Sequence, residues 1–180
     1  MKCSVIILNW NGAEMLRRYL PSVVEHTKEQ DVEIIVADNG STDESLEVMK
    51  SFETVRVIRF DRNYGFAEGY NKAINLVDSD YTVLLNSDVE VTDGWLSQLL
   101  SYMDQHPETA AVQPKIRAWL HKDQFEHAGA AGGFMDYLGY PFCRGRIMNH
   151  VEEDKGQYDS IIPIFWATGA CLCVRTQIYK

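Results

Sequence analysis

Residues 83–90 read VLLNSDVE. An apolar run ends abruptly in Asn86-Ser87-Asp88. A turn can be built there without an acid, whereas a divalent ion bridging a phosphate requires one. Ser87 separates the two polar residues, so strand alternation puts Asn86 and Asp88 on the same side. Asp88 offers a charged, hard oxygen; Asn86 offers a neutral oxygen or an amide donor. Hard ions such as Mg²⁺ or Mn²⁺ take such ligands and complete their shell with phosphate and water. A single Asn-x-Asp carries little weight, so its place in the fold decides.

Working outward, Ser4–Leu8 and Glu33–Ala37 are short β-branched runs and read as strands buried on both faces. Val55–Phe60 alternates and reads as a more exposed strand, and Tyr81–Leu85 as a fourth. Between them lie helical patterns: Met15, Leu16, Tyr19, Leu20, Val23 and Val24, with a kink or break expected near Tyr19 and Leu20 because Pro21 follows; Leu46, Met49 and Phe52 behind a capping box at Ser41–Glu44; and Gly65–Val77. Thr92 precedes a further stripe, Trp95, Leu96, Leu99, Leu100 and Met103. Four strand–helix alternations within the first 106 residues predict an α/β fold: a mostly parallel central sheet with right-handed crossovers and helices on both faces. After Pro107 the pattern changes. Ala110–Ile116, Ile161–Phe165 and Ala170–Val174 read as strands, while 121–160 shows little periodicity. No linker divides the chain, so residues 1–180 read as one domain.

The totals fit this. The chain has 180 residues, 46% of them hydrophobic and 24% charged, with a net charge of −9. That balance argues against a nucleic-acid partner, which wants clustered Lys and Arg. A nucleotide remains compatible, because one divalent ion offsets local carboxylates. Cys3, Cys143, Cys171 and Cys173 form no CxxC pair and read as reduced and mostly buried, which points to the cytosol. No signal peptide is read at the start. The longest apolar stretch, Ile161–Val174, is interrupted and too short for a transmembrane segment.

In open α/β sheets ligands bind beyond the carboxyl ends of the strands. Here each strand is followed by a polar cluster: Asn9-Trp10-Asn11-Gly12, then Asp38-Asn39-Gly40, then Asp61-Arg62-Asn63-Tyr64-Gly65, then Asn86-Ser87-Asp88. Each alone has a plain reading as turn chemistry. Asp38 could also help to cap the next helix, and Trp10 could be core. Parallel strands would place all four clusters on one rim. On that rim Asp38 can accept an N–H from a nucleobase edge, Trp10 offers a π-face, and the helix opened by Gly65 presents its positive end to phosphate.

At this point the chain resembles the nucleotide-sugar-binding part of an inverting GT-A glycosyltransferase of family 2, near the rhamnosyltransferase-like members. The resemblance is carried, in order, by SVIILNWNG, IIVADNGSTDES, NYGFAEGYNKAI, YTVLLNSDVEVTDGWL, VQPKI with the later AGAAGG, and WATGACLCVR. It implies a nucleoside-diphosphate sugar donor bound by Asn9, Trp10, Asn11, Asp38, Asn39, Asn63, Gly65, Asn86 and Asp88. Trp10 would lie against the base and Asp38 would hydrogen-bond it. Asp88, the last residue of the family's DxD motif, would hold a divalent cation, Mg²⁺ or Mn²⁺; the first acid of that motif is Asn86 here. The resemblance further implies a glycan or lipid-linked acceptor, a role in cell-surface polysaccharide biosynthesis, and a cytoplasmic location with membrane attachment open for the full-length protein. Residues 1–106 would form the nucleotide-binding half and 107–180 the start of the acceptor side.

Family members carry an acidic ED-type motif, the general base, after the strand that matches ACLCVR. Its expected place is beyond Lys180, so the chain reads as a donor-binding part with little or no transfer activity of its own. Glu126, Asp136 and Asp154 are carboxylates in the irregular region, with solvated loop charge as their plainer reading. Two rival enzyme classes fit poorly. A dinucleotide oxidoreductase wants GxGxxG after the first strand, where only Gly12 stands, and a nucleotidyltransferase wants a glycine-rich basic first loop. A non-catalytic nucleotide-sugar-binding module is the remaining alternative.

Overall fold

A computed structural model describes residues 2–126 and 129–180. Ala128, which begins the AGAAGG stretch, lies outside the described residues. In chain order the elements are Cys3–Asn9 (β1), Ala13–His26 (α1), Val32–Asp38 (β2), Ser45–Lys50 (α2), Val55–Arg59 (β3), Phe66–Ile74 (α3), Tyr81–Leu85 (β4) and Trp95–Gln105 (α4). There follow Ala111–Val112 (β5), Gly133–Met135 (β6), Pro141–Cys143 (β7), Arg146–Ile147 (β8), His150–Val151 (β9), Cys171–Arg175 (β10) and Thr176–Tyr179 (α5).

The main sheet has the order β3-β2-β1-β4-β10-β5. Its first four strands are parallel, as the alternation predicts, and β10 runs antiparallel between β4 and β5. Period-2 alternation divides the buried strands between two faces. On one face Ile6, Ile35, Ala37, Ile58, Leu84 and Val174 pack with Tyr70, Ala73 and Ile74 of α3 and with Val77 just beyond it, and Tyr179 of α5 joins them. The opposite positions, Val5, Ile7, Val36, Val83 and Leu85, are equally buried. The buried stripes of α1, α2 and α4 (Leu16, Leu20, Met49, Leu96 and Met103 among them) provide the second layer.

The chain divides into two compact units, one of residues up to Val112 with Gly169–Lys180, the other Gln113–Thr168. The first holds the main sheet. The second holds the four-stranded antiparallel sheet β6-β7-β8-β9 and a small core of Phe125, Ala130, Ala131 and Cys143, with Tyr158 and Trp166 packed against it. All four cysteines are free and buried. Burial pushes every one of their thiols up, that of Cys173 to about 12.

Four local expectations change. Pro21 does not break α1, which continues to His26. Pro21 forfeits one hydrogen bond, yet its ring is exposed while Leu16, Leu20 and Val23 hold the buried face. Ser41–Glu44 is not a capping box, because the helix begins at Ser45 and its first turn takes no hydrogen bond from the side chain of Glu44, its cap residue. Ile161–Phe165 is not a strand: Pro163 removes a ladder donor, and Ile161 and Phe165 are exposed. The aperiodic 121–160 region contains β6–β9, strands of two or three residues, too short for a period of two to show.

Candidate donor-binding site

Strand register places the polar clusters on one rim. Asn9 pairs with Asp38 across β1 and β2, and Ile7 pairs with Leu85 across β1 and β4. The turn after β4 therefore lies beside the end of β1, with Asp38 on its other side. Two strand spacings, roughly 10 Å, separate the β2 and β4 lines.

Asp38 ends a strand of buried apolar residues and is itself 0% exposed. Its Oδ2 accepts the Ser41 N–H at 3.3 Å, the capping-like contact. Its Oδ1 has no hydrogen-bond partner among the described residues. A buried carboxylate oxygen without a donor is costly in the free protein, so the position suits an N–H supplied from outside. Trp10, one residue past β1, is 57% exposed, so it is not core and its indole is available on the same rim.

The asparagines brace the rim, and Asn9 Oδ1, like Asp38 Oδ1, is buried with no hydrogen-bond partner among the described residues. Asn9 is buried and donates Nδ2–H to Ser41 Oγ at 3.2 Å, and the Asn11 N–H reaches the same oxygen at 2.9 Å. Asn11 adopts φ 50, a left-handed conformation that Asn tolerates better than most residues. Its Oδ1 accepts the N–H groups of Thr42 at 2.7 Å and Asp43 at 3.3 Å. Asp43 returns the link: its carboxylate accepts from Ala13 N and Ser45 N, each at 3.0 Å. Burial works against ionisation of Asp43, but the hydrogen bonds from Ser45 and Ala13 hold its carboxyl below the usual range.

Asn39 braces the next loop. It is buried, donates Nδ2–H to Asn63 Oδ1 and to the Gly65 carbonyl, and accepts the Tyr64 N–H, all at 3.0 Å. Asn63 Oδ1 also accepts the Gly65 N–H at 2.7 Å. Gly40 is required twice over, by φ +74 and because a Cβ there would lie 2.6 Å from the Arg62 backbone. The Tyr64 ring carries Arg62 at 4.8 Å and Lys72 at 4.2 Å, which puts two cations by this loop of an acidic chain. The sequence reading gives Gly40 only as turn chemistry and Ser41 and Asp43 only as parts of a capping box, not as partners of the rim asparagines. Their signal was the DNGSTD string, whose capping-box reading hid its partners some thirty residues away.

β4 ends at Leu85 and Ser87-Asp88 lie in a turn, so strand alternation does not set the sides of Asn86 and Asp88 as expected; the Asn86 N–H is held by the Ala170 carbonyl at 3.0 Å. Asn86 is partly exposed and Asp88 exposed. Among the described residues no group of three or more His, Cys, Asp or Glu gathers in a way that could hold a metal. An ion held here would have Asp88 as its charged protein ligand and would take most of its shell from phosphate and water. In the second unit, Asp136 Oδ1 accepts from Leu138 N and Tyr140 N at 2.9 Å within a hairpin, and Asp154 pairs with Lys115 at 2.7 Å. No helix among the described residues is long and apolar enough to cross a membrane.

Known proteins resemble this chain in sequence and in fold. Residues 4–159 match the family model described as Glycosyl transferase family 2. The chain is 25% identical over 190 residues to the N-acetylglucosaminyl-diphospho-decaprenol L-rhamnosyltransferase of Mycobacterium tuberculosis, covering 97% of this chain and 62% of that protein. It is 28% identical over 193 residues to the uncharacterized protein y4gI of Sinorhizobium fredii, covering 98% of this chain and 20% of that one. The chain thus spans between a fifth and three fifths of the length of these relatives. Among solved structures, the mannosyltransferase PcManGT from Pyrobaculum calidifontis, in complex with GDP-Man and Mn²⁺, superposes with a TM-score of 0.60 at 19% identity, over 64% of this chain and 36% of that one. S. aureus TarS 1-349 in complex with UDP-GlcNAc gives 0.59 at 21% identity, over 65% and 35%. Both share with this chain the GT-A architecture of the main sheet. With most of its residues inside the family model, the chain belongs to glycosyl transferase family 2.

Proposed function

We propose that the chain binds a nucleoside-diphosphate sugar on the rim beyond β1, β2 and β4. In the whole protein this would serve inverting transfer of the sugar to a hydroxyl of a glycan or lipid-linked acceptor. The observation that carries the reading is the unpartnered Oδ1 of Asp38, fully buried at the end of β2, with the exposed indole of Trp10 one residue past Asn9, the register partner of Asp38 on β1. A base edge would give that oxygen its missing donor while the indole lies against the base. Asn9, Asn11, Asn39, Asn63 and Gly65 act by holding the loops that frame this position. Asp88, with Asn86 beside it, would hold Mg²⁺ or Mn²⁺, which when bound offsets the negative charge of the leaving diphosphate.

Inversion requires the acceptor hydroxyl to attack the anomeric carbon directly as its proton is taken up. Asp136 and Asp154 are engaged within the second unit, so the reading leaves Glu126 among these three and otherwise looks for the general base in the remaining length of the longer relatives. Residues 1–106 then serve as the nucleotide-binding half and 107–180 as the start of the acceptor side of one GT-A-like domain. Biosynthesis of cell-surface polysaccharide at the cytoplasmic side of a membrane fits such a role. The alternative, a nucleotide-sugar-binding module without transfer, shares the donor site and differs only in turnover.

The test is calorimetry with UDP, GDP and dTDP, with and without Mn²⁺. One diphosphate should bind in a Mn²⁺-dependent way, and Asp38→Ala should weaken it about ten- to hundredfold, the worth of a charged hydrogen bond. An unchanged dissociation constant in a folded variant removes Asp38 from the site.

A further inference from the structure

Phe66 opens α3 and leaves 57% of its surface to water. The first turn of a helix gains from polar or acidic side chains, so a large exposed aromatic there calls for a partner. The ring is nevertheless fixed. It meets Tyr70 edge-on, with centroids 4.9 Å apart and an interplanar angle of 67°. Tyr70 is fully buried and donates its hydroxyl to the Leu85 carbonyl at 3.0 Å. Leu85 ends β4, immediately before Asn86. On its other side the ring approaches Gly169, where a Cβ would lie 3.3 Å from Phe66 Cζ. Gly169 precedes Ala170, the residue whose carbonyl holds the Asn86 N–H. Two independent links therefore tie the exposed ring to the segment that carries Asn86 and Asp88.

The strand order supplies direction. Across the rim it runs β2, β1, β4, β10. The base reading belongs to the ends of β2 and β1, the diphosphate reading to the turn after β4, and the next position along the line is the start of β10 with Phe66 against it. A nucleoside-diphosphate sugar laid along that line reaches Phe66 with its sugar.

We propose that Phe66 is a specificity-determining platform for the donor's sugar ring. The proposal rests on the reading of Asp38, Trp10 and Asp88 given above. The face of an aromatic ring carries negative charge, which suits the weakly positive C–H groups of a pyranose, and close contact adds dispersion. Phenylalanine offers no hydrogen bond, so the platform favours a sugar that turns a C–H face toward it over one that presents hydroxyls.

The experiment compares each bare diphosphate with its sugar form: UDP with UDP-GlcNAc, GDP with GDP-mannose, and dTDP with dTDP-glucose, all with Mn²⁺. In the wild-type chain one sugar form should bind more tightly than its diphosphate. Phe66→Ala should weaken that sugar form about five- to tenfold and leave the diphosphate within about twofold. Phe66→Tyr keeps the aromatic face and should keep the wild-type ratio. Equal weakening of both forms, no change in either, or a wild type indifferent to the sugar overturns the proposal. A wild type that binds none of the three diphosphates overturns the donor reading itself, and shows this before any substitution is made. Should Phe66→Ala fail to fold, saturation-transfer NMR on the wild type decides: irradiating aromatic protons should reach the sugar-ring protons, and failure to do so overturns the platform.

Discussion

Replacing Asn39 by alanine separates bracing of the rim from contact with the donor. The substitution removes three hydrogen bonds, to Asn63, Gly65 and Tyr64, all at 3.0 Å. Each is worth about 1 kcal/mol net. Asn63 and Gly65 are exposed and Tyr64 partly so, so water recovers part of the loss, and about 2 kcal/mol remains. With a urea m-value of about 2 kcal/mol/M the midpoint should fall by about 1 M at unchanged slope. Asn39→Asp, nearly isosteric, turns carboxylate oxygens toward two acceptors and should cost at least as much. The control is Asp38→Ala, which removes a buried oxygen that has no donor and one long hydrogen bond. Its stability without nucleotide should stay within about 0.5 kcal/mol of wild type, while its nucleotide affinity collapses. If Asn39→Ala leaves the urea midpoint in place and abolishes binding instead, the bracing account of Asn39 is wrong and it touches the donor.

Asp88→Ala should abolish Mn²⁺-dependent diphosphate binding and Asn86→Ala should reduce it less, because only Asp88 brings charge to the ion; paramagnetic line broadening with nucleotide present reads this, and equal effects would refute it. The side-chain hydrogen bond from Lys115 holds the Asp154 carboxyl below the usual carboxylate range. A depressed carboxyl contributes stability that is present above its unfolded pKa, about 4, and is lost as pH falls through its folded one. Asp154→Asn should therefore lower stability at pH 7 by about 1–3 kcal/mol and converge on wild type in acid; a penalty that persists unchanged at pH 2 contradicts the pairing. Finally, a version lengthened to the span of its longer relatives should transfer sugar at least about 10²-fold faster than this chain, the usual contribution of a general base. Equal turnover would place the base within the 180 residues.

The sheet was legible where each strand is long and buried on both faces, as in Ser4–Leu8 and Glu33–Ala37, because a β-branched run between polar loops has few other uses. The rim was legible for the same reason, since polar residues crowd where apolar runs stop. What Asn9, Asn11 and Asn39 do there was not legible. Their partners lie some thirty residues away, and a turn-forming asparagine looks the same whether its amide faces a ligand or a neighbouring loop. Ser41 misled in the same way: its spacing to Glu44 fits a cap, yet its hydroxyl serves Asn9 and Asn11. Ile161–Phe165 reads as a strand because composition cannot register that, among the described residues, its backbone pairing is limited to the Phe165 N–H on the Gly133 carbonyl. Phe66 stood in plain view in NYGF, but exposure is a property of the fold and not of the string.

The place of β10 in the main sheet bears on how the chain reaches its native state. Leu85 pairs with Cys171, so this contact closes a loop of roughly 85 residues, an entropic term of about 4 kcal/mol. On the ribosome β1, β2, β3 and β4 emerge first and can pair among themselves, but the outer edge of β4 stays open until β10 arrives. An apolar strand with an unpaired edge is a template for another chain. The long stretch between them shortens the wait if Gln113–Thr168 collapses on its own core, since a folded insert brings its two ends into a smaller volume. The risk of edge-to-edge association in this protein is thus set by the interval between synthesis of Leu85 and of Arg175, and slowing translation within Gln113–Thr168 should lengthen it.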